Sequence, residues 1–285
     1  MQASMIPVFI FIGKLLIVFL TLGFNLSNFQ TLFMKNKSNL LRIAFLFIAL
    51  GIFGAVSAAV NAPKPLKILV FFETKGYYHS SIPVAVAAIQ KLGKANNMQV
   101  DTTSESATFL QPNLDTYHAI VFMSTTGDVF NDQEQAAFKK YINNGGGFVG
   151  IHAATDTEYG WPWYNQLVGG YFKSHPKQQE AVLNVLDGKH ASTKHLPAQW
   201  KRFDEWYNFK DMQPGLHILM TIDEKSYEGG EMGASHPMAW YHKFDGGKAF
   251  YTELGHTNES YEDPLFLMHI LGGIQYVAKY QQALL

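Results

Sequence analysis

Residues 63–285 are expected to fold as one α/β domain: a mostly parallel sheet with helices on both faces and an antiparallel elaboration in its second half. Three observations predict this. Up to about residue 152, short continuous apolar runs alternate with helix-length segments, the rhythm of strand–helix–strand units. Those runs show no polar alternation, as befits strands covered on both faces. From Gly170 to Lys248 the rhythm changes to short alternating segments, the pattern of antiparallel strands.

Taken in order, a Pro63-Lys64-Pro65 linker leads into a buried strand over residues 67–72 (KILVFF) and a polar loop over 73–79. Ser80 or Ser81 then caps a helix to about Lys94, with Pro83 in its first turn and Val84, Ala88 and Leu92 on one face. Strands follow at 98–102 and 118–123. Asn131 with Glu134 makes a capping box for a helix that stops at Asn144-Gly145, and residues 147–152 form a fourth strand. Antiparallel strands are expected at 181–186, 217–222 and 238–244, and a further strand at 248–254. Asp263 caps a last helix, with Pro264 in first position, to about Lys279. Ligands of parallel sheets sit beyond the carboxyl ends of the strands, which here means the loops 73–79, 124–130 and 152–161.

Composition narrows the function. The chain of 285 residues is 47% hydrophobic and 16% charged and has no cysteine, which excludes a disordered chain, a disulfide scaffold and a cysteine nucleophile. With 22 Lys+Arg against 23 Asp+Glu there is no basic footprint for nucleic acid. Residues 1–62 hold four of the cations (Lys14, Lys35, Lys37, Arg42) and no acid, so the remainder has 18 against 23, a charge of −5. Apolar runs lie at 6–24 and 40–60. From Met34 the text shows a basic n-region, an apolar h-region and a small-residue cleavage motif at Val56-Ser57-Ala58. Residues 34–62 are therefore expected to be a signal peptide. Residues 1–33 are expected to be a mis-assigned upstream extension or a membrane segment. The product would be exported, periplasmic or extracellular, and would meet a membrane only through an uncleaved leader. The alternative is a hairpin of two membrane helices.

The candidate chemistry lies in histidine, present in 11 copies. His152 stands at a strand-to-turn junction, where hydrolases and amidotransferases of similar topology place a nucleophile; an imidazole there suits proton transfer or metal ligation. His79 ends the first loop, and His175, His236 and His256 lie beside Gly or Pro at chain reversals. Asp156, Glu158, Asp204, Glu205 and Glu253 are the candidate carboxylates, Glu205 being set against Trp206 and Tyr207. Trp161, Trp163, Tyr164, Trp240 and Tyr241 supply rings, and rings among carboxylates and histidines suit a sugar. No HExxH, GxxxxGK[ST] or GxSxG is present, and the Gly145 triplet reads as a helix stop and turn ahead of a strand, not as a phosphate loop opening a helix, so the patterns require no cofactor. A divalent metal such as zinc would be held if His175, His236 and His256 converged with a carboxylate. A homo-oligomer is left open.

The strings ETKGYYH, GGGFVGIHAATDT, GGYFKSHP, DEWYNF, HPMAWYH and YTELGHTNESYEDPLFLMHILGGI, in this order, resemble the trehalose-utilisation (ThuA-like) family over residues 67–277. The resemblance implies a class I glutamine amidotransferase-like, flavodoxin-like fold, with His152 where that superfamily keeps its cysteine and glutaminase chemistry therefore absent. It also implies breakdown of trehalose-like disaccharides through 3-keto sugar intermediates. The motif positions it carries over are His79, His152, His175, Glu205, His236, Trp240 and His256. On this reading a small-molecule sugar is the substrate and His152 and Glu205 exchange protons with it. His79 assists them, His175, His236 and His256 bind, and Trp240 stacks. The alternative is a non-catalytic carbohydrate-binding protein of the same fold. A leader departs from the family, whose members are often cytoplasmic.

Overall fold

In the computed structural model, residues 64–282 are described; the expected signal peptide at 34–62 and the expected extension at 1–33 lie outside them. The strands are β1 (Leu66–Phe71), β2 (Met98–Thr103), β3 (Ala119–Met123), β4 (Gly147–Ile151), β5 (Tyr171–Ser174), β6 (Gln179–Val185), β7 (Gln199–Asp204), β8 (Asn208–Lys210), β9 (His217–Ile222), β10 (Pro237–Phe244) and β11 (Gly247–Thr252). The helices are α1 (Ile82–Ala95), α2 (Asp132–Asn143), α3 (Pro162–Val168) and α4 (Pro264–Gln282).

Nine strands form one sheet in the order β2-β1-β3-β4-β11-β10-β9-β6-β7, and β5 pairs with β8 separately. The first five run parallel. The remaining four join antiparallel, so the elaboration extends the same sheet. The seam is β11, which pairs Thr252 with Ile151 of β4 on one side and with Ala239 of β10 on the other.

The two halves differ for a reason visible in their residues. Every residue of β3 and β4 is buried, whereas β7 alternates exposed and buried as a strand with one solvated face does. α4 lies across β11, β4 and β3 with Phe266, Ile270, Ile274 and Val277 buried at helical spacing. On α1 the buried face is Ile82, Ala85, Ile89 and Gly93, while the expected Val84, Ala88 and Leu92 are only half-buried. Gly93 explains the shift: a Cβ there would lie 2.4 Å from Val100 Cγ2 of β2, so the helix seats against the strand on a residue with no side chain. Ser81 makes no side-chain cap bond to α1; the capping box of α2 forms as expected.

In a flat sheet, four spacings of about 4.8 Å would set β7 about 19 Å from β11. Yet Asp204 Oδ2, at the end of β7, accepts a hydrogen bond of 3.0 Å from the Gly255 amide, three residues beyond β11. The antiparallel half therefore curls back over the carboxyl edge of the parallel half, twist accumulating strand by strand. This closure creates the site.

Candidate active site

His152 follows the last residue of β4 with φ of 50°, in the left-handed region that costs a non-glycine residue about 1–3 kcal/mol. Two bonds hold it there: its Nδ1–H donates to the Glu253 carbonyl at 2.8 Å, and the Tyr251 hydroxyl donates to the His152 carbonyl at 2.7 Å. The first bond fixes the tautomer, leaving Nε2 as a lone pair. That nitrogen lies 3.1 Å from His256 Nδ1 and 3.5 Å from Glu205 Oε2, and His256 Nδ1 is 3.0 Å from the same oxygen. The His79 ring stands edge-on to both imidazoles, with centroids 4.8 Å from His152 and 5.1 Å from His256. One donor atom from each of His79, His152, Glu205 and His256 can be chosen so that all lie within 4.8 Å of one another.

The other carboxylate oxygen faces outward. His175 Nδ1–H is shared between the Pro176 carbonyl at 2.8 Å and Glu205 Oε1 at 3.2 Å, and its side chain is 43% exposed while that of His152 is fully buried. Glu205 thus bridges a buried core of three imidazoles and a solvent-facing fourth.

Asp204 builds the frame. Its two oxygens accept from the amides of Glu205, Gly255 and His256 and from the Ser260 hydroxyl, all at 2.9–3.1 Å. Arg202, stacked on Trp200, binds Ser260 and Asp263 and lies 3.7 Å from Asp204. The turn needs Gly255: its φ is 116°, and a Cβ would meet the Tyr261 hydroxyl at 2.5 Å. Below His152, the ring of Tyr207 packs at 4.5 Å and its amide donates to Glu253 Oε1 at 3.1 Å.

Burial, then the neighbouring His152 and His256, pushes His79 down to about 2, so it is a neutral imidazole, and its Nδ1 is buried without a hydrogen-bond partner. Burial opposes ionisation of Glu205, but hydrogen bonds and charge from His152 and His256 outweigh it and hold that carboxyl well below the usual range. Burial, reinforced by Asp204, pushes Glu253 well up, so it stands as a neutral acid.

Of the residues expected at the site, His79, His152, His175, Glu205 and His256 come together. His236 and Trp240 do not. His236 is buried, with Nε2–H donating to the Tyr207 carbonyl at 2.7 Å and Nδ1 at 2.8 Å from Glu224, so it acts on the site only by holding Tyr207. Trp240 is a core residue: its Nε1–H donates to the Val168 carbonyl and its ring packs on Tyr251, leaving no face for a ligand. Accordingly His175, His236 and His256 do not converge on a metal; the group with ligand spacing is His79, His152, Glu205 and His256. Trp161, Trp163, Tyr164 and Tyr241 also pack into or against the core. Glu158 is structural, accepting from the Phe130 amide and the Gln135 side chain, and Asp156 accepts from Tyr159. Tyr77 and Tyr78, not among the expected site residues, are 65% and 56% exposed, the former 4.8 Å from the His79 ring. Their signal was the GYYH string in a loop at a strand's carboxyl end.

The model of the family ThuA, described as trehalose utilisation, matches residues 67–277. Among solved structures, the fold is similar to a ThuA-like protein from Bacteroides uniformis (TM-score 0.65, 24% identity, covering 76% of this chain and 93% of that one). A ThuA-like protein from Parabacteroides merdae is similar to the same degree (TM-score 0.65, 23% identity, 75% and 90%). A protein from Salmonella typhimurium described as cytoplasmic is more distant (TM-score 0.55, 12% identity, 74% and 99%). A search of curated proteins found no match.

Proposed function

The chain belongs to the ThuA family of trehalose utilisation, and from that premise we propose that it is an exported enzyme acting on a disaccharide or 3-keto sugar derivative by histidine and glutamate acid–base chemistry. The observation that carries the reading is the buried lone pair of His152 Nε2, held beside Glu205 and His256 at the carboxyl edge of the parallel strands. A keto group acidifies the C–H beside it, so a neutral imidazole suffices as base. The proton moves from carbon to that imidazole and the electron pair to the keto oxygen, where a neighbouring N–H stabilises the charge. Isomerisation follows if the adjacent hydroxyl proton passes to the enolate oxygen and the carbon's proton returns to the former carbonyl carbon. Elimination follows if the enolate collapses to restore the ketone, a carbon–carbon double bond forms as the glycosidic C–O bond breaks, and the departing oxygen takes the proton. His175, exposed and bonded to Glu205, exchanges protons with solvent. In place of Trp240, the exposed Tyr77 offers a ring to the sugar's C–H face.

Turnover of 3-keto glycosides by the purified protein tests this, with product analysis and calorimetric titration on the same sample. Saturable sugar binding with no product at any pH would establish the non-catalytic binding protein instead. Export rests on the text from Met34 to Ala58. N-terminal sequencing of the secreted fraction should find a chain starting near Ala59, after cleavage at Ala58; recovery of residues 1–33 in the mature protein would overturn it.

A further inference from the structure

The geometry points to a binding site for one divalent transition-metal ion of the zinc class, formed by His152 Nε2, His256 Nδ1 and Glu205 Oε2 with His79 as fourth donor. The three named atoms are separated by 3.0, 3.1 and 3.5 Å. A tetrahedral ion with bonds of about 2.0–2.1 Å holds its ligands about 3.3 Å apart, so the three already sit near the corners of one face of such a tetrahedron.

The hydrogen-bond inventory agrees. With the Nδ1–H of His152 committed to the Glu253 carbonyl, Nε2 of the neutral ring is a lone pair. A single N–H on His256 Nδ1 would have to serve both that lone pair and a carboxylate oxygen. Three acceptors facing one another at this spacing with one proton among them are poorly matched; a cation between them satisfies all three. His79 adds a buried imidazole whose Nδ1 has no hydrogen-bond partner.

Outer partners fix the ligands as they do in metal centres. The Glu253 carbonyl orients His152, and Asp204 holds the backbone amides of both Glu205 and His256. Three imidazoles and one carboxylate favour zinc, cobalt or a similar ion over magnesium or calcium, which prefer all-oxygen sets. With the ion bound, His152 Nε2 is a ligand and no longer the base of the proposed acid–base chemistry. The ion would supply Lewis acidity toward a substrate oxygen, and His175, bonded to the outward oxygen of Glu205, would carry the protons.

The test uses the tag-free full-length chain, stripped by chelator and titrated with Co2+. We expect one Co2+ per chain with the intense visible bands of four-coordinate cobalt, displaced by Zn2+. Glu205→Gln and His256→Gln should each weaken binding at least about a hundredfold with an unchanged circular-dichroism spectrum. If neither folds, His79→Gln serves, with about tenfold weakening. Absence of saturable binding to the wild-type chain, or binding undiminished in a folded variant, would overturn the site. A chain that takes up one ion but turns over no sugar would leave the site standing and sink the proposed function. Turnover without metal uptake would do the reverse.

Discussion

The parallel half of the sheet supplies His79, His152 and His256, each in the segment following a carboxyl strand end, while the antiparallel half supplies Glu205 and Tyr207, just past β7. The imidazoles come from strands that a parallel sheet must hold close to one another, so their meeting follows from topology. The carboxylate arrives from the far end of the strand order, and only curling of the sheet brings it in. The antiparallel extension therefore completes the site. Without it the three imidazoles would have neither the acid they share nor the frame, centred on Asp204, that sets the turn bearing His256.

The share of the parallel half in the chemistry rests most heavily on His152. His152→Asn keeps a residue that tolerates the left-handed backbone and keeps a donor for the Glu253 carbonyl, removing only Nε2. We expect kcat/KM to fall by about a thousandfold with little change in thermal unfolding; unchanged turnover would remove the parallel half from the chemistry. Glu205→Gln keeps shape and loses charge, with an expected loss of about a hundredfold. Wild-type rates in this variant would reduce the antiparallel half to scaffolding. Asp204→Asn leaves four donors facing a group that can no longer accept from all of them. Urea unfolding should show a loss of about 2 kcal/mol. A shift below a few tenths would show that the halves are not joined there.

A further effect, felt only below neutral pH, concerns α4 on the parallel side. His269 is fully buried, its Nδ1–H donates to the Ser192 carbonyl, and burial pushes it down to about 3. Below its ordinary value near 6.5 the unfolded chain takes up a proton that the folded chain refuses until about pH 3. Stability is therefore lost as pH falls through that window, by at most about 1.4 kcal/mol per pH unit. His269→Asn keeps the donor and should flatten the dependence of urea midpoints between pH 7 and 5. An unchanged slope would place the titration elsewhere.

The parallel half was legible because burial on both faces writes itself as continuous apolar text, as in AIVFM of β3, and because topology then places the loops. The antiparallel half was legible in β6, β9 and β10 but not in β7 or in its curling, which no local pattern encodes. Residues 174–176 and 235–237 show the limit most clearly. Both read Ser-His-Pro, yet His175 faces solvent at the mouth of the site and His236 is buried against Glu224. What separates them is the element each packs beneath, a long-range fact. Trp240 fails for a related reason, since an indole with its N–H satisfied in the core and one stacked on a ligand have the same sequence.

The donors at positions 79, 152, 205 and 256 are spread along nearly the whole described chain, and the last of them precedes only a short 3-10 turn and α4. During synthesis β1 to β4 emerge before His256 does, so the early strands exist for a time without the full set of donors. Any truncation that removes the turn at Gly255 deletes a donor and, with it, two of the amides that Asp204 binds. On the proposed function, chemical competence would thus work as a check on completeness: an unfinished or clipped copy would lack a full donor set and would not act on a sugar before its fold is closed.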